Sequence, residues 1–189
     1  MDIIKTEFEG LFIIKPAVFE DARGYFMVNH LQNVFAEKIG NISFVQENES
    51  LSSFGVLRGL HYQLLPFAQS KLVRVVKGKV QDVALDLRKG SATLGKYFSM
   101  EISEENKLQL FIPKGFAHGF LVLSEQAVFQ YKCDNYYAPK HEASIRYNDP
   151  DLNIQWQLEE KKIKVSAKDN AAPDYKNAVF FDSNESDKF

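Results

Sequence analysis

The sequence predicts an all-β fold in which short antiparallel strands form a sandwich or barrel. Aromatic residues make up 13% of the 189-residue chain, and aromatic side chains favour the half-buried surfaces of sheets. About ten short apolar segments also follow one another closely, with turn residues between them, which is typical of sandwiches and barrels. Both observations favour strands over helices as the main element of the fold.

The predicted strands are segments in which apolar and β-branched residues alternate, or run briefly between turn signals. Lys77-Gly78-Lys79 has the composition of a hairpin turn, which we expect between two of these strands. The strands are predicted at residues 11–14, 25–28, 56–63, 72–76, 80–87, 97–102, 108–112, 119–123 and 127–133.

Two short helical segments are expected beside the strands. The apolar residues of 31–39 recur at helical spacing and Gly40 follows them, so this segment is predicted to be a helix. A second helical turn is predicted near Ser103-Glu104-Glu105, where the serine can cap the first amides.

No linker, repeat or low-complexity segment divides the sequence, so we expect a single domain over residues 1–189. Its barrel core is predicted at roughly 44–134. The segment 161–189 is more polar, and we expect it to wrap the surface and to fray over residues 182–189.

Charge and cysteine content exclude several classes of protein. Lysine plus arginine number 23 and aspartate plus glutamate 25, a formal net charge of -2, so neither nucleic acid nor an anionic membrane is an expected partner. Cys133 is the single cysteine, so no disulfide can form within the chain. We expect Cys133 to be buried and to act as a small hydrophobic residue. The first residues lack a signal-peptide pattern, and no apolar run approaches the roughly 20 residues that span a membrane. These observations predict a cytoplasmic protein.

Four segments place polar groups where a purely structural strand would not need them. In FEDARGYF, Arg23 stands at the head of a predicted strand, and with Asp21 it could equally form a surface ion pair. In FVQENES, Gln46, Asn48 and Ser50 share one face of a strand. A face this rich in amides and hydroxyls borders either solvent or a ligand cavity.

The other two segments carry histidines. GVLRGLHYQ contains Arg58 and His61, and Lys71 follows in the next segment. IPKGFAHGF contains His118 after a turn built on proline and glycine, and its Pro-x-Gly-x-x-His pattern resembles the second motif of cupin barrels. A lone histidine in a strand is more often structural than catalytic, so His61 by itself does not define a site.

The histidine pattern argues against a metal site. The first motif of a metal-binding cupin has a His-x-His pair and a following glutamate, whereas His61 is followed by Tyr62 and Gln63. The four histidines, at positions 30, 61, 118 and 141, leave at most two plausible ligands in the barrel. Glycine-rich phosphate loops are also absent from the sequence. We therefore expect neither a metal nor a cofactor.

With metal and phosphate-loop sites set aside, the polar residues of these segments suit acid and base chemistry without a metal. Histidine titrates near neutral pH and suits a base, a tyrosine hydroxyl suits an acid, and lysine or arginine holds developing negative charge. This set suits removal of a proton from a carbon next to a ketone. The tyrosine candidate is Tyr131 in VFQYKC, which could also be a core residue with its hydroxyl at the rim.

Taken together, these segments resemble the dTDP-4-dehydrorhamnose 3,5-epimerase family, whose members convert a dTDP-4-keto-6-deoxyglucose into its 4-keto-rhamnose epimer. The resemblance runs from about residue 4 to residue 173. It implies a cupin-type antiparallel β-barrel, or jelly roll, with one or two short helices, and a homodimer whose N-terminal strands cross to the partner's sheet. The segments that carry it are FEDARGYF, FVQENES, GVLRGLHYQ, SKLVRVVKGKVQDVALDLRKGS, IPKGFAHGF, FQYKCDNYYAP and Ser166-Ala167-Lys168-Asp169.

The resemblance also implies roles for individual residues. His61 is expected to remove the protons next to the keto group, with Asp169 orienting its imidazole. Tyr131 is expected to donate a proton from the opposite face, and Lys71 to stabilise the enolate. Other residues are expected to grip the diphosphate and sugar or to contact the nucleotide, with a tyrosine stacking on the thymine. These substrate-binding residues are Arg23, Gln46, Asn48, Arg58, His118, Tyr137, Glu142 and Lys168.

Two features depart from a simple fit to the family. The family pattern has a glutamate where this chain has Val28, so one polar contact is missing and the exact sugar or nucleotide stays open. Strict alternation also puts Arg58 and His61 on opposite faces of their strand. A bulge at Gly59 would resolve this conflict, as would a dimer in which Arg58 comes from the neighbouring subunit. The same dimer would bring Arg23 from one chain to His61 of the other.

Three alternative functions remain open at this point. A narrower epimerase would act at carbon 3 alone or on another 4-keto sugar. A nucleotide-sugar or glycan-binding barrel would use the same polar face without chemistry, although it would not need a base, an acid and a lysine together. A metal-dependent cupin isomerase or dioxygenase would carry a metal in the purified protein.

Overall fold

Two antiparallel sheets packed face to face make up most of the structure, a computed structural model that describes residues 1–182. One sheet has six strands, the other has five, and a separate pair of strands forms a two-stranded ribbon. This architecture is a cupin-type jelly roll with two short helices, which confirms the predicted fold class.

The described residues contain strands, two α-helices and three 3₁₀ turns. The strands are β1 (Asp2–Lys5), β2 (Phe12–Lys15), β3 (Val18–Asp21), β4 (Gly24–Met27), β5 (Gln46–Ser53), β6 (Leu57–Gln63), β7 (Lys71–Lys77), β8 (Lys79–Asp86), β9 (Tyr97–Ser103), β10 (Gln109–Ile112), β11 (Phe116–Val122), β12 (Gln126–Cys133) and β13 (Glu142–Ser144). The helices are α1 (Gln32–Lys38) and α2 (Ala167–Asn170), and the 3₁₀ turns lie at Pro139–His141, Glu160–Lys162 and Tyr175–Asn177.

The strands from β5 to β12 supply four neighbouring strands to each sheet. The six-stranded sheet has the order β1-β2-β10-β7-β12-β5, and the five-stranded sheet has the order β13-β6-β11-β8-β9. β2 and β1 extend one edge of the first sheet, and β13 extends one edge of the second. Because the chain changes sheet repeatedly, residues far apart in sequence face each other across the interior.

Apolar side chains from both sheets fill the interior. Val73 and Phe129 come from the six-stranded sheet, and Ala84 and Phe120 come from the five-stranded sheet, and none is more than 5% exposed. The rings of Phe120 and Phe129 stack with their centroids 4.0 Å apart, so they join the two sheets directly. Such aromatic contacts add to the free energy gained by burying the ring surfaces.

Helix α1 covers the outer face of the six-stranded sheet and confirms the predicted helix. Its Phe35 is completely buried against Ile14, Leu72 and Phe111. These side chains come from β2, β7 and β10, so one aromatic residue of the helix binds three strands together.

One local prediction is wrong. Lys77-Gly78-Lys79 is not a hairpin turn, because β7 and β8 belong to different sheets. The segment is a corner that carries the chain from one sheet to the other. Gly78 has φ of +78°, and a Cβ on it would collide with the carbonyl oxygen of Gln126, so the corner needs a glycine.

The second helical turn is present only as an isolated turn. The hydroxyl of Ser103 accepts hydrogen bonds from the amides of Glu105 and Asn106, at 3.2 and 3.1 Å, as a helix cap would. Lys107 then adopts φ of +55°, which ends the turn before a helix can form. The sequence prediction also missed β1, β3 and β13, which are short, contain no fully buried residue and so carry no clear apolar alternation.

The chain after β13 packs against the five-stranded sheet. Ser166 caps α2, its hydroxyl accepting a hydrogen bond from the amide of Asp169 at 3.0 Å. Phe181 is buried beside the ring of Tyr62. Residues 183–189, most of the segment predicted to fray, lie outside the described residues.

Within the described part of the chain, no helix has the length and apolar character that crossing a membrane would require.

Candidate active site

A bulge in β6 orients the first two site residues. His61 pairs with His118 of β11, but Arg58 pairs with Phe120, so β6 uses one more residue than β11 over this stretch. Gly59 lies in the bulge with φ of +131°, and a Cβ on it would come within 2.5 Å of the Cα of the neighbouring strand's glycine. The bulge lets Arg58 and His61 line the same cavity. The first of the two predicted resolutions is therefore confirmed.

His61 lies against a buried carboxylate. Its Nε2 is 2.5 Å from Oδ1 of Asp169, whose side chain is only 6% exposed. Burial by itself would raise the pKa of Asp169, but the hydrogen bond and charge of His61 and a hydrogen bond with Ser166 outweigh it and hold the pKa below its ordinary value. The carboxylate is therefore ionised at neutral pH and holds the imidazole in one orientation.

Two more predicted residues face His61 from the other sheet. Lys71 begins β7 and Tyr131 lies in β12, both in the six-stranded sheet, whereas His61 belongs to the five-stranded sheet. A ligand between the sheets would have an imidazole on one side and a phenol on the other. The cavity has a volume of about 190 Å³ and is lined by Asn48, Glu49, Ser50, Arg58, His61, Lys71, His118, Phe120, Phe129 and Tyr131.

Burial shifts the pKa values of the two residues on the facing sheet. It raises the pKa of Tyr131, with Arg58 opposing the effect, so the phenol keeps its proton at neutral pH. Burial lowers the pKa of Lys71, while the carboxylates of Asp82 and Glu142 act in the opposite direction. Because burial disfavours the charged form of Lys71, negative charge that develops beside it would favour the protonated lysine strongly.

His118 belongs to a second pair of histidine and carboxylate. Its Nε2 is 2.9 Å from Oδ2 of Asp82, and the two side chains are 8% and 0% exposed. Sequence analysis missed Asp82, although an acid stands there beside the apolar run Val83-Ala84-Leu85 of β8. A fully buried carboxylate needs a partner. Within residues 1–182, no three histidine, cysteine or acidic side chains lie together as a metal site would require.

A second cavity, of about 440 Å³, also borders the His61–Asp169 pair. Arg58, Lys164 and Lys168 border it, so it is suited to an anionic group. Arg58 lines both cavities, and its Nε donates a hydrogen bond to the hydroxyl of Ser52 at 3.1 Å. Sequence analysis did not single out Lys164.

The remaining predicted residues other than Arg23 form a hydrogen-bonded rim. The backbone amide of Tyr137 donates to Oε1 of Gln46 at 3.0 Å, and its hydroxyl donates to Oε2 of Glu142 at 2.7 Å. Lys168 Nζ donates to the same carboxylate oxygen at 2.6 Å. Gln46 also donates to Asn48, a cavity residue, at 2.9 Å. The rim is thus connected to the cavity, while the ring of Tyr137 remains 53% exposed.

The carboxylate of Glu142 is the charged centre of this rim. Burial would raise its pKa, but the hydrogen bonds from Lys168 and Tyr137 and the charge of Lys168 lower it overall. The same contact raises the pKa of the Tyr137 hydroxyl, which donates to an anion. Glu142 is therefore an anion that holds both neighbouring side chains in place.

Arg23 is the predicted site residue that lies outside both cavities and the rim. It sits in the turn of the β3–β4 ribbon, with its side chain 89% exposed and 2.5 Å from the carboxylate of Asp21. This contact is the surface ion pair with Asp21 that the sequence offered as the alternative to a functional role for Arg23. The ribbon also exposes three aromatic rings, Phe19, Tyr25 and Phe26, by 63%, 51% and 66%.

The cavity holds the groups that proton transfer next to a carbonyl requires. An ionised carboxylate supports a histidine, a protonated phenol faces that histidine, and a buried lysine lies on the strand beside the phenol. Together with the jelly roll, this set is typical of an isomerase that uses acid and base chemistry.

Comparisons with known proteins identify the family. The family model for dTDP-4-dehydrorhamnose 3,5-epimerase matches residues 5–177. The dTDP-4-dehydrorhamnose 3,5-epimerase of Shigella flexneri is 49% identical over 182 residues, which cover 96% of this chain and 99% of that protein. The chain belongs to the dTDP-4-dehydrorhamnose 3,5-epimerase family, as the sequence motifs predicted.

Solved structures of relatives share the fold. The crystal structure of dTDP-4-dehydrorhamnose 3,5-epimerase from Elizabethkingia anophelis matches with a TM-score of 0.91 and 50% identity, over 95% of this chain and 99% of that chain. That of dTDP-6-deoxy-D-glucose-3,5-epimerase from Legionella pneumophila, in complex with dTDP-4-keto-L-rhamnose, matches with a TM-score of 0.90 and 47% identity, over 94% of both chains.

Proposed function

We propose that the cavity between the sheets epimerises a dTDP-linked 4-keto-6-deoxyglucose at carbons 3 and 5, in the formation of dTDP-L-rhamnose. The observation that carries the proposal is His61, supported by Asp169, facing Tyr131 across the cavity with Lys71 on the strand next to Tyr131. The Legionella relative in complex with dTDP-4-keto-L-rhamnose supports the class of substrate.

His61 is the proposed base. The ketone makes the protons on the adjacent carbons acidic, because the electrons left behind spread onto its oxygen as an enolate. The imidazole takes such a proton, and the carboxylate of Asp169, 2.5 Å away, stabilises the imidazolium that results. The ammonium of Lys71 stabilises the negative charge on the enolate oxygen. No metal or redox step is needed for this exchange of protons.

Tyr131 is the proposed acid. Because its strand lies in the sheet opposite that of His61, a proton returned by the phenol arrives on the other face of the carbon. Removal from one face and return to the other inverts the configuration. The phenol has a proton to give at neutral pH, since burial raises its pKa.

The remaining residues bind the substrate. The second cavity, with Arg58 and Lys168 at its border, suits the diphosphate. The exposed ring of Tyr137 offers a face on which thymine can stack. Four other polar side chains of the cavity and rim contact the sugar or the nucleotide, and they are Gln46, Asn48, His118 and Glu142.

The protein acts as a homodimer in this proposal. An isolated two-stranded ribbon is marginally stable in water, and a cluster of exposed aromatic rings marks an interaction surface. The β3–β4 ribbon therefore packs on a second copy and brings Arg23 to the cavity of that copy, where it binds an anionic part of the substrate. The buried Cys133 needs no oxidising compartment, which supports a cytoplasmic location.

The first test is NMR of dTDP-4-keto-6-deoxyglucose incubated with the protein in heavy water. We expect deuterium at carbons 3 and 5 and formation of the rhamnose-configured product. Deuterium at carbon 3 alone would identify a narrower epimerase. Binding without any exchange would contradict the proposed reaction and favour another substrate or a non-catalytic binding protein.

Two variants separate the proposed roles. In His61→Ala, exchange at both carbons should fall by about a hundredfold or more, because the base is lost. In Tyr131→Phe, exchange should persist better than inversion, because only the returning acid is lost. Tyr147→Phe, which removes a hydroxyl outside the cavity, should match the wild type. If both site variants turned over normally, the assignment of base and acid would be wrong.

A further inference from the structure

Gln63, the last residue of β6, is buried, and its side-chain amide bonds entirely to loops at the rim. It is 5% exposed. Its Nε2 donates to the carbonyls of Phe67 and Tyr136, at 2.7 and 3.1 Å, and its Oε1 accepts from the amide of Ala138 at 2.7 Å. Backbone carbonyls only accept and backbone amides only donate, so these partners fix the orientation of the side-chain amide.

Tyr137 lies between the two rim residues that Gln63 holds. Its own backbone amide and hydroxyl are bound by Gln46 and Glu142, and Glu142 is the register partner of Gln63 in the adjacent strand. The loop is therefore clamped on both sides of Tyr137, although the ring itself is half exposed. Core packing does not account for holding an exposed ring this firmly.

The chain uses the same arrangement once more, at Gln81 of β8. Gln81 is 2% exposed, donates to the carbonyl of Gln155 at 2.9 Å and accepts from the amide of Gln157 at 2.7 Å. The residue between them is Trp156, whose ring packs against the core. Both glutamines thus mimic one residue of a partner strand and fix an aromatic residue between two bonds. The fixed Trp156 ring completes the core, whereas the fixed Tyr137 ring faces outward.

We propose that Gln63 is a positioning residue that orients Tyr137 for stacking on the base of the nucleotide. The inference rests on the proposed function, in which Tyr137 stacks on thymine. A ring held in place before binding loses less conformational freedom when the base arrives. Gln63 therefore acts on nucleotide affinity and leaves the proton transfers at His61 unchanged.

Gln63→Glu tests this with little change in size. The carboxylate keeps an acceptor for Ala138 but turns an oxygen, in place of a donor, toward the carbonyls of Phe67 and Tyr136. We expect the KM for dTDP-4-keto-6-deoxyglucose and the Kd for dTDP to rise about tenfold, with kcat within about twofold of the wild type. Gln63→Met, which adds no charge, should shift both constants in the same direction.

Gln81→Glu is the matched control, because it disrupts the equivalent clamp away from the rim. It should lower the unfolding temperature about as much as Gln63→Glu and leave KM unchanged. A similar rise in KM in this control would overturn the inference, since it would reflect general loosening of the fold. The inference would also be overturned if the whole loss of kcat/KM in Gln63→Glu came from kcat, with KM unchanged.

A double-mutant cycle with Tyr137→Ala separates this inference from the function on which it rests. If Gln63 acts through Tyr137, adding Gln63→Glu to Tyr137→Ala should change KM by less than about twofold. Full additivity would overturn the positioning role. If Tyr137→Ala itself left KM unchanged, stacking in the proposed function would fail first. If Tyr137→Ala raised KM while the Gln63 variants did not, only the positioning role would be wrong.

Discussion

Two histidines of the five-stranded sheet each lie against a buried carboxylate. His61 contacts Asp169, and His118 contacts Asp82. The two aspartates are buried, with exposures of 4% and 0%. In each pair a carboxylate oxygen lies within hydrogen-bond distance of the imidazole Nε2. A buried carboxylate without such a partner would cost several kcal/mol. The two pairs differ in what surrounds them, because His61 is partly exposed to two cavities whereas His118 is almost fully enclosed. This difference favours His61 as the group that exchanges protons with a ligand.

Asp169→Asn should separate charge from shape at this pair. The amide can still bond to the imidazole but cannot stabilise its charged form, so we expect kcat to fall by about a hundredfold or more with a small change in KM. Steady-state kinetics checks this. Asp149→Asn is the control at an equally buried aspartate that accepts bonds from backbone amides. A kcat of Asp169→Asn within twofold of the wild type would show that the carboxylate charge is not used.

Cys133 gives a prediction about pH. Burial raises the pKa of its thiol to about 11, so the folded protein holds the proton in a range where the unfolded chain releases it. Stability is therefore complete below the ordinary thiol pKa and falls as the pH rises from about 9 to 11, by about 2 to 3 kcal/mol from this group. Denaturant titrations of wild type and Cys133→Ala over this range measure the difference. Equal pH dependence in both proteins would contradict the shifted pKa.

At the scale of elements, the bulge in β6 decides which side chains share the cavity. One extra residue at Gly59 reverses the alternation, so Arg58 and His61 point to the same side. β11 supports this arrangement because its own glycine, Gly119, leaves room for the bulged backbone. The pairing of two glycines across neighbouring strands is thus a condition for the site.

Gly59→Ala should disturb the site without removing any functional group. An added Cβ would lie 2.5 Å from the Cα of Gly119 and 2.9 Å from the carbonyl oxygen of His118, so β6 and β11 must separate. We expect a loss of about 1 to 3 kcal/mol in the free energy of unfolding beyond the control, and at least a tenfold fall in kcat/KM. Gly40→Ala is the control, with a similar φ of +143° and no atom within 4 Å of the added Cβ. Equal effects in the two variants would show that the close approach is unimportant.

At the scale of the whole molecule, the ribbon and the cavity lie apart. Arg23 is exposed on a surface that also carries Phe19 and Phe26, while the groups proposed for chemistry lie between the sheets. A second copy of the chain would cover these rings and use the arginine. In that arrangement each cavity depends on both chains.

Mixed dimers test this dependence. Arg23→Ala and His61→Ala should each be impaired when expressed alone. A co-expressed mixture should recover up to about a quarter of wild-type activity, because half of the dimers are mixed and one of their two cavities is intact. A mixture as inactive as its components would contradict a shared site, and activity that persists in a purified monomer would contradict the dimer.

The β-rich fold, the family and most of the residues that meet at the cavity could be predicted from the amino-acid sequence. Alternation with a period of two is a local property, so it marks strands such as β7 and β12 and the polar face of β5 without reference to partners. The residue types that the chemistry needs, a histidine, a tyrosine and a lysine, also stand in segments that are recognisable in the sequence.

Which strand joins which sheet was established by the tertiary structure, because strand pairing depends on contacts between residues far apart in the chain. It turned the expected hairpin at Gly78 into a corner between sheets and joined Asp82 to His118. It also left Arg23 on a ribbon away from the cavity, and it bound the amide of Gln63 to both sides of Tyr137. No local pattern encodes such contacts, since each depends on where a distant segment comes to lie once both sheets have formed.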